Sequence, residues 1–125
     1  MAAEDLQGAA RVQQAVNVAE NWWFPRDVER ALSAGACDMM MPDVMEIGGI
    51  TRWLGTMGMA QMHSMPMSSH IFVEASAHAL AVSPTCHYLE YLDFAGAILA
   101  ERNVIVDGCF EARGSGSASN GTKRR

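Results

Sequence analysis

No pair of cysteines in this chain is spaced for a metal or a redox couple. Cys37, Cys86 and Cys109 are odd in number and far apart, so the sequence carries neither a disulfide framework nor a C-x-x-C site. The expectation is three reduced thiols in a cytoplasmic protein, buried as small hydrophobes. No uncharged apolar run approaches the length of a membrane span, and none is expected to cross one. The opening MAAEDLQGAARV is acidic early and has no apolar segment, so no secretory leader is expected. Cations are in the minority: 9 Lys and Arg against 14 Asp and Glu leave a net charge of −5, which speaks against a nucleic-acid surface. Also missing are a P-loop, a G-x-G-x-x-G turn and a G-x-S-x-G elbow, and with them the common phosphate cradles and the serine-hydrolase nucleophile.

What the chain does have is apolar residues for a core, at 50% of its 125 positions, enough for one ordinary domain. Acidic residues open a helix over 4–15, and a short, weak strand over 16–18 runs into Glu20. Pro25 suits the first turn of a helix over 25–32, which Gly35 stops. An apolar run over 37–41 reads as a buried strand closed by Pro42-Asp43. Gly48-Gly49 supplies free backbone amides before a helix over 51–63, whose Trp53, Leu54, Met57 and Ala60 share a face. A strand over 65–68 ends at Ser69-His70, a helix over 73–82 is stopped by Pro84, and a strand over 86–89 ends at Glu90. A last short strand over 104–106 is closed by Asp107-Gly108. Strands alternating with helices imply a parallel α/β sheet with crossover helices. From Gly114 the run GSGSASNGTKRR is too polar to offset its ordering entropy and reads as a disordered tail. The 10 methionines, even with His63 among them, fit core filling better than a soft-metal site. His78 and His87 show no ligand-like spacing and read as structural.

Four ionisable residues fall where predicted strands run out: Glu20, Asp43, His70 and Glu90. Parallel α/β barrels build active sites from strand C-terminal ends. Adjacent strands lie about 4.8 Å apart, so an Asp43–His70 hydrogen bond is within reach. The carboxylate would set the imidazole tautomer and favour its protonated form, as a general acid/base requires. The local alternative is an Asp that caps the following turn and a loop His with its own partner. Glu20 has the oxygen chemistry of a Mg²⁺ ligand, or is a surface loop residue. Glu90 stands in the apolar setting Tyr88-Leu89-Glu90-Tyr91-Leu92. Burial there favours a protonated carboxyl able to donate to an oxyanion; the alternative is an exposed strand end.

The stretches that carry these residues are Glu20-Asn21-Trp22, MPDVMEIGGITRWL over 41–54, PMSSH over 66–70 and HYLEYLD over 87–93. In order and spacing they resemble the C-terminal barrel segment of the mandelate racemase group of the enolase superfamily, over roughly residues 9–108. The resemblance implies the C-terminal half of a (β/α)7β TIM-type barrel, about four βα units within residues 1–113, followed by the tail at 114–125. It implies proton abstraction α to a carboxylate, on a 2-hydroxy acid or sugar acid, with the enediolate stabilised on Mg²⁺. In that pattern Glu20 matches a metal carboxylate, Asp43 and His70 the dyad with His70 as base, and Glu90 the acid that hydrogen-bonds the substrate carboxylate. Ser68 and Ser69 occupy a strand end where substrate contacts are expected.

The departures from the pattern matter as much. The family's capping domain, first four strands, two further metal carboxylates and Lys-x-Lys segment have no counterpart here. Glu46 stands where a basic residue is usual, the strand before Glu20 is short, and the sequence after Arg113 is unrelated. The expectation is therefore a partial racemase or acid-sugar dehydratase. The alternatives are an inactive remnant, or one half of a split enzyme that pairs with itself or with a complementing N-terminal half.

Overall fold

The computed structural model describes residues 22–99 and 104–112. The expected helix over 4–15, the strand over 16–18, Glu20 and the tail lie outside the described residues. Helix α1 spans Phe24–Ser33 with Pro25 and Asp27 in its first turn, and buries Val28, Ala31 and Leu32. It ends at Gly35, whose φ of 59° is a left-handed stop that glycine adopts without a Cβ penalty. The expected helix lies within these bounds, one residue shorter at each end.

The chain then runs extended through Met40 and Asp43, which bridge in parallel to Met67 and His70. Met40 N–H donates to Pro66 O at 2.9 Å, Ser68 N–H to Met40 O at 2.8 Å and His70 N–H to Pro42 O at 3.1 Å. The alternation of a parallel ladder would next ask residue 42 for a donor. Proline has none, so the expected strand is present as two bridges rather than one continuous run.

Gly48 and Gly49, at φ 96° and 87°, turn the chain into helix α2 over Ile50–Met62, which buries Trp53, Thr56 and Ala60. Here the expected apolar face is corrected. Leu54 is 45% exposed, and the buried stripe passes through Thr56. That polar residue is tolerated inside because its hydroxyl donates to Arg52 O at 3.1 Å.

Strand β1 (Met67–Ser69), helix α3 (Val73–Ala81) and strand β2 (Cys86–Leu89) follow. β1 and β2 pair in parallel, Met67 with Cys86 and Ser69 with Leu89, so β2 carries one extra residue. The bulge displaces an amide from the ladder, and Tyr88 N–H is taken up by Ser68 Oγ at 3.2 Å. The segment at 40–43, β1 and β2 thus lie side by side as an α/β arrangement with parallel pairing.

The core sits between this sheet and the helices: Met40, Met67, Val28, Ile47, Trp53, Ala60, Ala79 and Leu80 form one cluster, with Met41, Met57, Met59 and Met65 partly buried against it. Most methionines therefore fill the core, as expected. Trp53 Nε1–H donates to Ser83 Oγ at 3.0 Å, and that hydroxyl donates to Ala79 O at 2.9 Å, so the buried indole is satisfied.

The last predicted strand does form, but in different company. β3 (Ile105–Val106) pairs antiparallel with β4 (Cys109–Phe110) in a separate two-stranded sheet. Asp107 and Gly108, both at positive φ (50° and 73°), make the two-residue turn that Asp-Gly favours.

Candidate active site

The ladder carries three of the four stepped residues to one place. Asp43 is bridged to His70, and Glu90 N–H donates to Ser69 O at 3.3 Å. Each stands at the C-terminal end of its extended segment, and parallel pairing brings those ends together on one edge.

Asp43 is 4% exposed; it caps the following turn, and its second oxygen faces His70 without forming the expected hydrogen bond. Its Oδ1 accepts from Met45 N–H at 2.6 Å and Glu46 N–H at 3.1 Å, capping the turn. Its Oδ2 lies 3.3 Å from His70 Nδ1. That pair is close but not aligned as a hydrogen bond, and the buried Nδ1 has no hydrogen-bond partner among the described residues. On the other side of the ring, His70 Nε2 lies 3.7 Å from Glu90 Oε2. Glu90 Oε2 also accepts from Ile71 N–H at 3.0 Å. The imidazole is therefore bracketed by two carboxylates, one deep and fixed by amides, the other 34% exposed. The burial expected around Glu90 is only partial.

The two serines part company, because side chains alternate along a strand. Ser68 shares the His70 face of β1; its Oγ donates to Met39 Sδ at 3.2 Å and lies 3.4 Å from His87 Nδ1. Ser69 shares the Met67 face, is fully buried, and its Oγ has no partner among the described residues. His87 Nδ1 lies 3.0 Å from Met39 Sδ, so Met39, Ser68 and His87 form a small polar contact below His70. Spacing along the chain could not reveal His87 as part of it, since only the parallel register sets residue 87 beside residue 68. Glu46 is next to Asp43, to whose Oδ1 its N–H donates. Its backbone O accepts from Phe24 N–H at 3.4 Å, and its buried Oε2 has no partner among the described residues.

No group of three His, Cys, Asp or Glu among the described residues is arranged to hold a metal ion. No helix among them is long and apolar enough to cross a membrane.

Comparison with known proteins gives this geometry its class. The family described as enolase C-terminal domain-like matches residues 1–117. The chain belongs to that family, within the mandelate racemase branch of the enolase superfamily. It is 32% identical over 114 residues to a 3,6-anhydro-alpha-L-galactonate cycloisomerase of Streptomyces coelicolor, covering 87% of this chain and 32% of that protein. It is 26% identical over 110 residues to the L-talarate/galactarate dehydratase of Salmonella typhimurium, covering 85% of this chain and 28% of that one. A Bradyrhizobium enolase crystallised with magnesium and mandelic acid superposes with a TM-score of 0.91 at 48% identity, over 98% of this chain and 35% of that structure. The chain spans about a third of the length of these relatives.

Proposed function

We propose that this chain is the C-terminal part of a Mg²⁺-dependent racemase or acid-sugar dehydratase, with His70 as the base that removes the proton α to a substrate carboxylate. One observation carries the reading: the His70 imidazole stands at the strand ends with Asp43 Oδ2 3.3 Å from Nδ1 and Glu90 Oε2 3.7 Å from Nε2. Asp43, pinned by two backbone amides, favours the tautomer with the proton on Nδ1. Nε2 then offers its lone pair on the open side of the ring. When Nε2 takes the substrate proton, the positive charge arises beside the Asp43 carboxylate rather than in an apolar pocket, while Glu90, as a protonated carboxyl, keeps a proton to donate. Glu90, partly exposed beside Nε2, is placed to hydrogen-bond a substrate carboxylate that enters there. Ser68 and Ser69 flank this strand end; Ser68 supports it from below.

The extended segment at 40–43, β1 and β2 read as neighbouring strands in the C-terminal half of a (β/α)7β barrel, with residues 1–113 as the partial domain. Mg²⁺ is proposed from the relatives, one of which was crystallised with it. The described residues do not make its site alone: they offer no group of three ligands, and Asp43 and Glu90 already engage His70 and backbone amides. Glu20 is the ligand proposed from this chain, and octahedral Mg²⁺ needs more oxygens than it offers. The rest of the site belongs to further barrel units, supplied by the same protein or by a complementing chain in the cytoplasm.

The test is exchange of the α-proton of mandelate or galactarate into D₂O, followed by NMR with Mg²⁺ and with the missing barrel units supplied. His70→Ala should lower exchange by roughly 10²–10⁴-fold, the usual worth of a positioned acid/base group. Glu90→Gln should lower it less, since a neutral donor survives. Unchanged exchange in His70→Ala would refute the assignment.

A further inference from the structure

Directly after His70 the backbone does something costly. Ile71 and Phe72 are consecutive left-handed residues, at φ 38° and 45°. Neither is glycine, and Ile71 is β-branched, the type that least tolerates this region. Such a conformation persists only where the surroundings impose it, and residues of this kind cluster at functional sites.

The contacts on either side of Ile71 show what imposes it. Its N–H points back to Glu90 Oε2 at 3.0 Å. Its carbonyl points into helix α3, where Ser76 Oγ donates to it at 2.8 Å. Ser76 is fully buried. A helical serine ordinarily turns its hydroxyl to the carbonyl four residues back. Here the carbonyl four back, Phe72 O, already accepts from Ala75 and Ser76 N–H at 3.0 and 2.9 Å, and the hydroxyl reaches one residue further. The chain of contacts is continuous: Ser76 hydroxyl, Ile71 carbonyl, Ile71 amide, Glu90 carboxylate, His70 Nε2.

We propose that Ser76 is a positioning residue: acting through the left-handed Ile71, its hydroxyl holds the Glu90 carboxylate beside His70 Nε2. This rests on the reading of Glu90 and His70 as substrate-facing groups, but its test does not require turnover. In the full-length chain, the Ile71 amide resonance should sit downfield and shift as the Glu90 carboxyl is titrated. Asp43 and His70 also face this corner, so Glu90→Gln assigns the response; it should abolish the Glu90-linked shift. Ser76→Ala should move the Ile71 amide upfield and lose the same shift, and Ser76→Thr, which keeps the hydroxyl, should restore it. If the alanine variant does not fold, Ser76→Cys, close in size with a weak donor, should show a diminished shift. A merely structural role would lower the melting temperature of Ser76→Ala and leave the amide titration intact, and that result would overturn the proposal. Should the amide respond as expected while no α-proton exchange is found in the completed enzyme, the positioning stands and the assigned reaction falls.

Discussion

Asp43 shows how one side chain can serve two neighbours that its sequence position set in competition. A carboxylate has two oxygens: one closes the turn after its strand and the other faces the histidine. The turn thereby fixes the rotamer that sets Oδ2 3.3 Å from His70 Nδ1, as the proposed acid/base pair requires. The same scale holds a test of burial. Cys37 is 3% exposed; removal from water, and secondarily the charge of Asp38, push its thiol up to about 11 from 9.0. The folded state therefore keeps a proton there that the unfolded chain releases. That contribution is fully present below pH 9 and is lost as pH rises towards 11. Thermal melts should show the advantage of the wild type over Cys37→Ala narrowing across that window. The expected burial of all three cysteines holds for Cys37 alone: Cys86 and Cys109 lie on the short strands β2 and β4 and are exposed, so iodoacetamide at mildly alkaline pH should label both and reach Cys37 only on denaturation.

At the scale of elements, the three described helices were legible within a residue or so because proline, glycine and apolar spacing act locally. Which face they bury was less legible. Trp53, Leu54, Met57 and Ala60 fit one stripe on paper, yet Leu54 is half-exposed and Thr56 is enclosed. A threonine is admitted once its hydroxyl finds the Arg52 carbonyl, a local bond that hydrophobicity alone does not register. The expected consequence is a contrast. Trp53→Ala should cost about 3–5 kcal/mol in urea denaturation, from a large cavity, with the Ser83 hydroxyl losing its donor as well. Leu54→Ala should cost under about 0.5 kcal/mol, as exposed positions do. The strand before Asp43 was legible in position but not in continuity, because Pro42 removes one donor from the ladder. The Asp107-Gly108 turn was visible, whereas its second arm, Cys109–Phe110, is too short to announce itself.

For the whole molecule the decisive fact is the length matched, about a third of each relative. Among the described residues β2 pairs on one side only, and Cys86, His87 and Tyr88 on it are exposed. An edge of that kind invites another strand, which accords with the proposed completion by further barrel units or by a second copy. A ligand that binds only the native state raises the melting temperature. Circular dichroism melts should therefore show little Mg²⁺ effect on this chain alone, where the described residues provide no three-ligand group, and a clear rise once the complementing units are present. A strong Mg²⁺ stabilisation of the chain by itself would overturn the incomplete-site reading.

The order of elements, the helix limits and the set of candidate residues follow from the sequence by itself, since capping, periodicity and strand-end placement are properties of neighbours along the chain. The approach of Asp43 to His70 was within reach from the strand order, but its misaligned geometry, the placing of Glu90 on the other side of the ring, the descent of Ser69 to the other face and the arrival of His87 beneath the site were decided only in three dimensions. Parallel register is set by packing between segments tens of residues apart, and a shift of one residue reverses every side chain. The left-handed turn at Ile71 belongs to the tertiary structure too: nothing in an isoleucine asks for it, and the bonds it makes to Glu90 and Ser76 hold it there.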